Sequence, residues 1–339
     1  MTELSIVIPT YKQKFLKNSL EGLAMQEDKD FEVVVVENGI PTDVTQNLCL
    51  DFRKTLKLRY IFEEIAGANR SRNIGTKNCN SEVIGLIDDD CIPDKEWTKR
   101  IKEYHYTYPD AGIIGGKVTL KFIEFKPEWL EGIFRSYLAE LDWGKNDCDI
   151  EDYQYLVGAN LSFKREVFIS IGGFEEKAGL KYDNLLANDE LDFITNTRKQ
   201  GKKIIYSPKI LVTHLIPQNR TSLRYLQRKS YSQGRADAIL LRKTNPNFDI
   251  NDAKSFLDTI ILEDGLEISH INELKLNLRK SVFLEYFRNF IQSKLLYYKG
   301  FTEEIKSNES FYSDVVLRYS DMHNQYQQKI EKIKKIGGD

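Results

Sequence analysis

Val83-Ile84-Gly85-Leu86-Ile87-Asp88-Asp89-Asp90 is a short apolar run that ends in three consecutive carboxylates. A run that is apolar on both faces suits a strand buried between two helix layers, as in a parallel sheet. Two similar β-branched runs lie upstream, Ser5-Ile6-Val7-Ile8 and Glu32 to Val36. Between those two, Phe15, Leu16, Leu20, Leu23 and Ala24 recur at helical spacing. Helix candidates at 42–54 and 68–78 then flank a short strand at Leu58 to Phe62, ahead of the run at 83. The order β-α-β-α-β-α-β predicts an open α/β sheet with right-handed crossovers. In such sheets ligands gather beyond the carboxyl ends of the strands. The residues at those ends are Pro9-Thr10-Tyr11, Glu37-Asn38-Gly39 and the aspartate triplet, all of them groups suited to binding.

Further along, residues 112–119 and 155–163 give β-like runs, and Ile204 to Tyr206 with Ile210 to Thr213 read as two late strands. Beyond residue 217 the pattern turns helical, rich in Lys, Asn, Leu, Tyr and Phe. This predicts an α/β domain over 1–217 and a mostly helical extension over 218–339, with a hinge near Asn245-Pro246-Asn247. No internal repeat is evident.

Bulk properties narrow the class. In 339 residues, 49 Lys and Arg face 51 Asp and Glu, a net charge of −2 that argues against a nucleic-acid binder. The four cysteines, Cys49, Cys79, Cys91 and Cys148, show neither paired nor zinc-like spacing and fit a reducing compartment. The first residues lack a basic region followed by a long apolar one, and no apolar stretch is long enough to span a bilayer. A cytoplasmic protein is expected, with a peripheral seat on the inner face of the membrane left open.

Three adjacent carboxylates repel one another, so something positive must offset them. A hard divalent cation shared with phosphate oxygens would do so. Alternate residues of an extended segment point the same way, so Asp88 and Asp90 can face one site. Upstream, Arg70 and Arg72 bring delocalised charge suited to phosphate or to a base edge. Taken in order, S-I-V-I-P-T-Y, V-V-V-V-E-N-G, R-S-R-N-I-G and G-L-I-D-D-D-C-I-P-D-K-E-W resemble the inverting family 2 glycosyltransferases. Gly158 to Arg165, Ile171 to Glu175, Asn188 to Asp192 and the approach to His214 extend the resemblance over roughly residues 3–240.

That resemblance implies a GT-A type fold, Rossmann-like, with an open mixed sheet flanked by helices and a nucleotide-sugar donor. It implies Mn²⁺ or Mg²⁺ on a DxD-type motif matching Asp88 and Asp90, completed by His214, with Asp89 beside them. It places Pro9, Thr10, Tyr11, Glu37, Asn38, Arg70 and Arg72 around the nucleotide, although the family more often has Asp at the position of Glu37. The catalytic base falls on Glu190 or its neighbour Asp189, Glu190 being favoured. An inverting transfer needs one such carboxylate to take the acceptor hydroxyl's proton.

Trp129 and Trp143 are candidates for a sugar or acceptor wall, with core packing as the alternative. Gly158, Ala159 and Asn160 suit a close backbone approach to the donor sugar. Arg220, Arg224 and Arg228 would form one stripe on a helix, facing a diphosphate-bearing lipid acceptor, an anionic membrane, or solvent. Residues 282–298 set apolar side chains on one side, suited to an interfacial anchor or to packing on the catalytic domain or a second subunit. The expected activity is metal-assisted transfer of a sugar, most often from a UDP-sugar, to a glycan or lipid-linked acceptor. A non-catalytic nucleotide-sugar-binding module is the alternative. A nucleotidyltransferase is disfavoured, because residues 9–14 contain no glycine for a phosphate loop.

Overall fold

Seven consecutive buried residues, Leu4–Thr10, form β1, the strand around which the first unit is built. In this computed structural model the described residues are 3–12, 14–151, 154–176, 190–245, 252–253 and 280–304. They fall into two units, one drawn from residues 1–126 and 134–220, the other from 127–133 and 221–339.

In the first unit, β1 pairs in parallel with β2 (Phe31–Asn38) and β4 (Val83–Leu86), and β2 with β3 (Lys57–Glu63). Helices α1 (Leu16–Ala24), α2 (Asp43–Phe52) and α3 (Ala68–Lys77) make the crossovers. Each reading of this half follows from both-face burial: β1 and β2 expose almost nothing, which only helix layers on both sides allow. Thr42 caps α2 by accepting from the Thr45 amide.

Beyond β4 the sheet becomes mixed. β8 (Leu161–Lys164) runs antiparallel to β4, and β6 (Ala111–Phe122) antiparallel to β8. The two late runs expected at 204–206 and 210–213 are one strand, β9 (Lys203–Ile216), parallel to β6. A register shift at Gly116/Lys117 absorbs the interruption at Pro208, a residue that cannot donate to a ladder and is tolerated at a bulge. β5 (Cys91–Pro93) and β7 (Cys148–Asp149) both pair antiparallel with β9. The sheet order is β3-β2-β1-β4-β8-β6-β9-β5, with β7 also on β9. The pairing of β5 with β9 sets Cys91 opposite His214, closing the chain from the aspartate triplet onto the end of the last strand.

Helices α4 (Trp97–Thr107), α6 (Arg165–Ile171) and α7 (Leu191–Lys199) complete this unit, with residues 134–136 of the short α5 (Ile133–Ser136). Phe163, Phe168, Phe174 and Phe193 interlock, the Phe174 and Phe193 rings stacking at 4.4 Å, which anchors α6 and α7 on β8. In the second unit, α8 (Leu223–Thr244) packs along α9 (Lys280–Glu304). A Cβ on Gly234 or Gly300 would strike the facing backbone, so the two helices cross at close range. Ser230 donates to the Ser293 carbonyl at 2.6 Å and Tyr297 to Asp237 at 2.7 Å across this contact. Side chains of α9 are described at 289, 292–301, 303 and 304, so most of the expected apolar face at 282–298 lies outside the described residues, as does the Pro246 to Asn247 part of the hinge. Among the described residues, no helix is long and apolar enough to cross a membrane.

His105, on the buried face of α4, offers a titration that reports on this core. Ser162 donates its proton to the Ile114 carbonyl at 2.9 Å, so His105 Nε2 must donate to Ser162 Oγ, 3.0 Å away. Nδ1 is buried with no hydrogen-bond partner among the described residues. Burial, helped by Lys164, pushes the imidazole pKa down to about 3. The unfolded chain therefore takes up this proton first, and stability falls as pH drops through the unfolded value of 6.5 until the folded form protonates too. Chemical denaturation between about pH 8 and pH 5 should show wild type losing about 2 kcal/mol more than His105→Gln. Equal losses would mean that His105 is not held neutral.

Candidate active site

The carboxyl ends of β1, β2 and β4 converge as the sequence implies, and hydrogen bonds fix their relative positions. Thr10 donates to Asp89, and Asn38 donates to the Thr10 carbonyl at 3.0 Å while accepting from the Gly67 amide at 3.1 Å. The end of β1, the end of β2 and the start of α3 are thereby tied together. Pro9 and Thr10 are buried, and Tyr11 is half-buried beside them.

Each aspartate of the triplet has its own counter-group. Asp88 Oδ1 accepts from Arg72 Nη2 at 3.3 Å. Asp90 meets His214 Nε2 at 3.2 Å and Arg220 Nη1 at 2.9 Å. Burial pushes the Asp88 carboxyl up despite Arg72, and burial with the neighbouring Asp90 charge pushes Asp89 to about 7. Burial acts against the Asp90 charge as well, but His214 and Arg220 outweigh it and hold that carboxyl low. One member of the triplet is thus kept firmly ionised beside two that resist ionisation.

The Asp90 and His214 pair suits a divalent cation. His214 Nδ1 lies 2.8 Å from the Leu138 carbonyl and must donate to it, which turns Nε2 toward Asp90, the orientation that metal-binding histidines require. Ligand atoms of Asp90, His214 and Cys91 lie within 4.8 Å of one another. A hard cation prefers the carboxylate oxygen and the imidazole nitrogen to the soft Cys91 sulfur, whose thiol burial raises well above its ordinary value. The carboxylate oxygen suits Mn²⁺ or Mg²⁺, and the imidazole nitrogen beside it favours the transition metal, Mn²⁺, of the two.

Across the cleft, Arg72 bridges the triplet to Glu190. The guanidinium is only 5% exposed and reaches Asp88 through Nη2 and Glu190 Oε1 through Nη1 at 3.2 Å, with Asn69 Oδ1 at 3.0 Å from Nη1. Glu190, the residue preceding α7, also accepts from the Gly158 amide at 2.9 Å. A side chain at Gly158 would collide with both Glu190 and Arg72, so the glycine leaves the room in which they meet. Asp189, the alternative base, lies outside the described residues.

Several residues expected at ligands are instead engaged within the fold. Glu37 is fully buried, accepting from Thr42 Oγ1 at 2.8 Å, Thr45 Oγ1 at 2.6 Å and Tyr60 at 2.6 Å, so it anchors α2 to the sheet. Arg70 points away from the triplet, to Glu63 at 3.1 Å and Glu176 at 3.0 Å. Together with Asn73, which exchanges two 2.8 Å bonds with the Phe174 backbone, it holds the segment before residue 177. Asn160 spends its whole amide internally, donating to the Lys117 and Ile210 carbonyls at 3.0 and 2.8 Å and accepting from Trp97 Nε1 at 2.8 Å. Ala159 belongs to the apolar core, and Trp129 is buried in the 127–133 segment that groups with the second unit. Trp143 is half-buried, its indole N–H on the Tyr155 carbonyl at 2.8 Å.

Arg220 is the residue that the sequence misplaced. It sits in a 3₁₀ turn, Gln218–Arg220, ahead of α8, and so does not share a helical stripe with Arg224 and Arg228. The legible signal was Ser222, an N-cap that accepts from the Tyr225 amide and starts the helix at Leu223, beyond Arg220. At the opposite, amino end of the strands a cavity of about 800 Å³ is lined by Glu82, Val83, His105 and Lys164 and holds none of the triplet.

Residues 5–172 match the family model described as glycosyl transferase family 2. The chain is 26% identical to the glucosyl-dolichyl phosphate glucuronosyltransferase of Haloferax volcanii over 244 residues, 70% of this chain and 77% of that protein. The fold is similar to that of the mannosyltransferase PcManGT from Pyrobaculum calidifontis, solved with GDP-Man and Mn²⁺, with a TM-score of 0.57 and 17% identity over 89% of this chain and 87% of that one. It is also similar to S. aureus TarS 1–349 in complex with UDP-GlcNAc, with a TM-score of 0.52 and 17% identity over 94% and 92% of the two chains. It spans 54% of the longer TarS chain. With the sheet, the acidic strand end and these likenesses in agreement, the chain belongs to glycosyl transferase family 2 and is a glycosyltransferase of the GT-A fold.

Proposed function

We propose that the protein transfers a sugar from a nucleoside-diphosphate donor, UDP-linked by the family resemblance, to a glycan or lipid-linked acceptor with inversion at the anomeric carbon. The observation that carries this reading is the Arg72 bridge, which holds the acidic donor end, Asp88, and the carboxylate Glu190 on one buried guanidinium. A cation held by Asp90 and His214 would offset the charge that develops on the departing diphosphate. The chain's own residues supply the rest. Glu190, held by Arg72 and the Gly158 amide, accepts the acceptor hydroxyl's proton as its oxygen bonds to the anomeric carbon. The electron pair of the breaking carbon–oxygen bond leaves with the diphosphate. Thr10 and Asn38 fix the strand end on which the nucleotide would lie. The lipid-linked acceptor is supported by the Haloferax relative, named for a glucosyl-dolichyl phosphate substrate.

The two solved neighbours carry different nucleotides, so a panel decides the donor class. Thermal melting with UDP, GDP, dTDP and CMP, each with and without Mn²⁺, should show stabilisation by one nucleoside diphosphate only when the metal is present. At a ligand concentration about 100-fold above Kd, the native state gains about 2.7 kcal/mol. No response to any of the four would count against a donor site in this cleft. Glu190→Gln should keep that nucleotide-dependent shift while lowering turnover of the matching nucleotide sugar by about 10²-fold or more. Unchanged turnover would move the base to Asp189.

A further inference from the structure

We propose that Arg220 is a resident counter-ion of the cation position, which a divalent metal has to displace before the donor diphosphate binds. The proposal rests on reading Asp90 and His214 as the cation's ligands. One guanidinium nitrogen, Nη1, lies 2.9 Å from Asp90 Oδ2 and 3.2 Å from His214 Nε2. These are side chains that a metal would coordinate, so guanidinium and metal compete for the same electron pairs. His214 cannot turn away to serve both, because its Nδ1 is tied to the Leu138 carbonyl.

The surroundings make the exchange feasible. Asp90 is 10% exposed and His214 7%, whereas Arg220 is 35% exposed. The arginine therefore reaches inward from the solvent side, while His214 is fixed in β9 and the Asp90 backbone is tied to that strand by the Leu215 amide at 2.8 Å. It is carried by a three-residue 3₁₀ turn at the very end of β9, outside any ladder, so its withdrawal breaks no strand pairing. Two cations beside one carboxylate repel each other, so a metal bound alone is opposed by Arg220. A diphosphate arriving with the metal offers the displaced guanidinium a new anionic partner within its reach. Metal and nucleotide would then bind with positive coupling, and Arg220 would be its source.

Direct Mn²⁺ binding, read from the loss of the free-ion electron spin resonance signal, tests this with full-length protein checked for folding by circular dichroism. Without nucleotide, Arg220→Gln should bind Mn²⁺ about tenfold or more tighter than wild type, and Arg220→Lys, which keeps the charge, should bind as weakly as wild type. Addition of UDP or GDP should tighten Mn²⁺ binding in wild type, and that enhancement should shrink in Arg220→Gln. Equal or weaker Mn²⁺ binding by Arg220→Gln, or Arg220→Lys binding as tightly as Arg220→Gln, overturns the displacement while leaving the metal site standing. Mn²⁺ bound by neither wild type nor Arg220→Gln, with or without nucleotide, overturns the metal-site reading and this proposal with it.

Discussion

Consecutive carboxylates at the mouth of a buried strand must be compensated, and much of the architecture around the cleft does this. Asp88, Asp89 and Asp90 cannot all be ionised at low cost in a poorly solvated site. The fold answers with Arg72 from α3, Thr10 from β1, His214 from β9 and Arg220 from the turn that follows. These come from three separate stretches of the chain. They meet only because β1 lies beside β4 and because β5 closes back on the end of β9. The electrostatic problem and the topology are in that sense a single constraint.

The compensation is uneven, and the unevenness is useful. Asp90, faced by Arg220 and His214, stays charged, while burial raises Asp88 and Asp89. Arg72 carries part of the same charge balance across to Glu190 and links the two ends of the proposed chemistry through one side chain. Gly158 contributes an amide and the absence of a side chain, both needed for that meeting. A loss at Arg72 would therefore disturb Asp88 and Glu190 together.

The parallel half of the sheet was legible because its strands are apolar on both faces and end in polar triplets. The late half was less so. Pro208 split one strand into two apparent ones, since a bulge and a break look alike in sequence. Buried polar residues were the hardest to read. Glu37 and Asn160 have the side chains of ligand contacts, but their bonds are spent on Thr42, Thr45 and Tyr60, and on Trp97 and two carbonyls. Residue type cannot distinguish a group that recognises a ligand from one that satisfies the fold. Arg220 failed the other way: its spacing with Arg224 and Arg228 imitated a helix face, while its partner Asp90 lies 130 residues away in sequence.

The central claim is that the Asp90 and His214 corner of this cleft receives the cation and diphosphate of a nucleotide-sugar donor. The most direct measurement is anomalous diffraction at the manganese edge, from crystals grown with Mn²⁺ and the stabilising nucleoside diphosphate. The account predicts one strong peak within coordination distance of an Asp90 carboxylate oxygen and His214 Nε2, bridged to the diphosphate, with Arg220 turned off Asp90. A peak elsewhere, or a nucleotide seated at the opposite end of the strands, would contradict it.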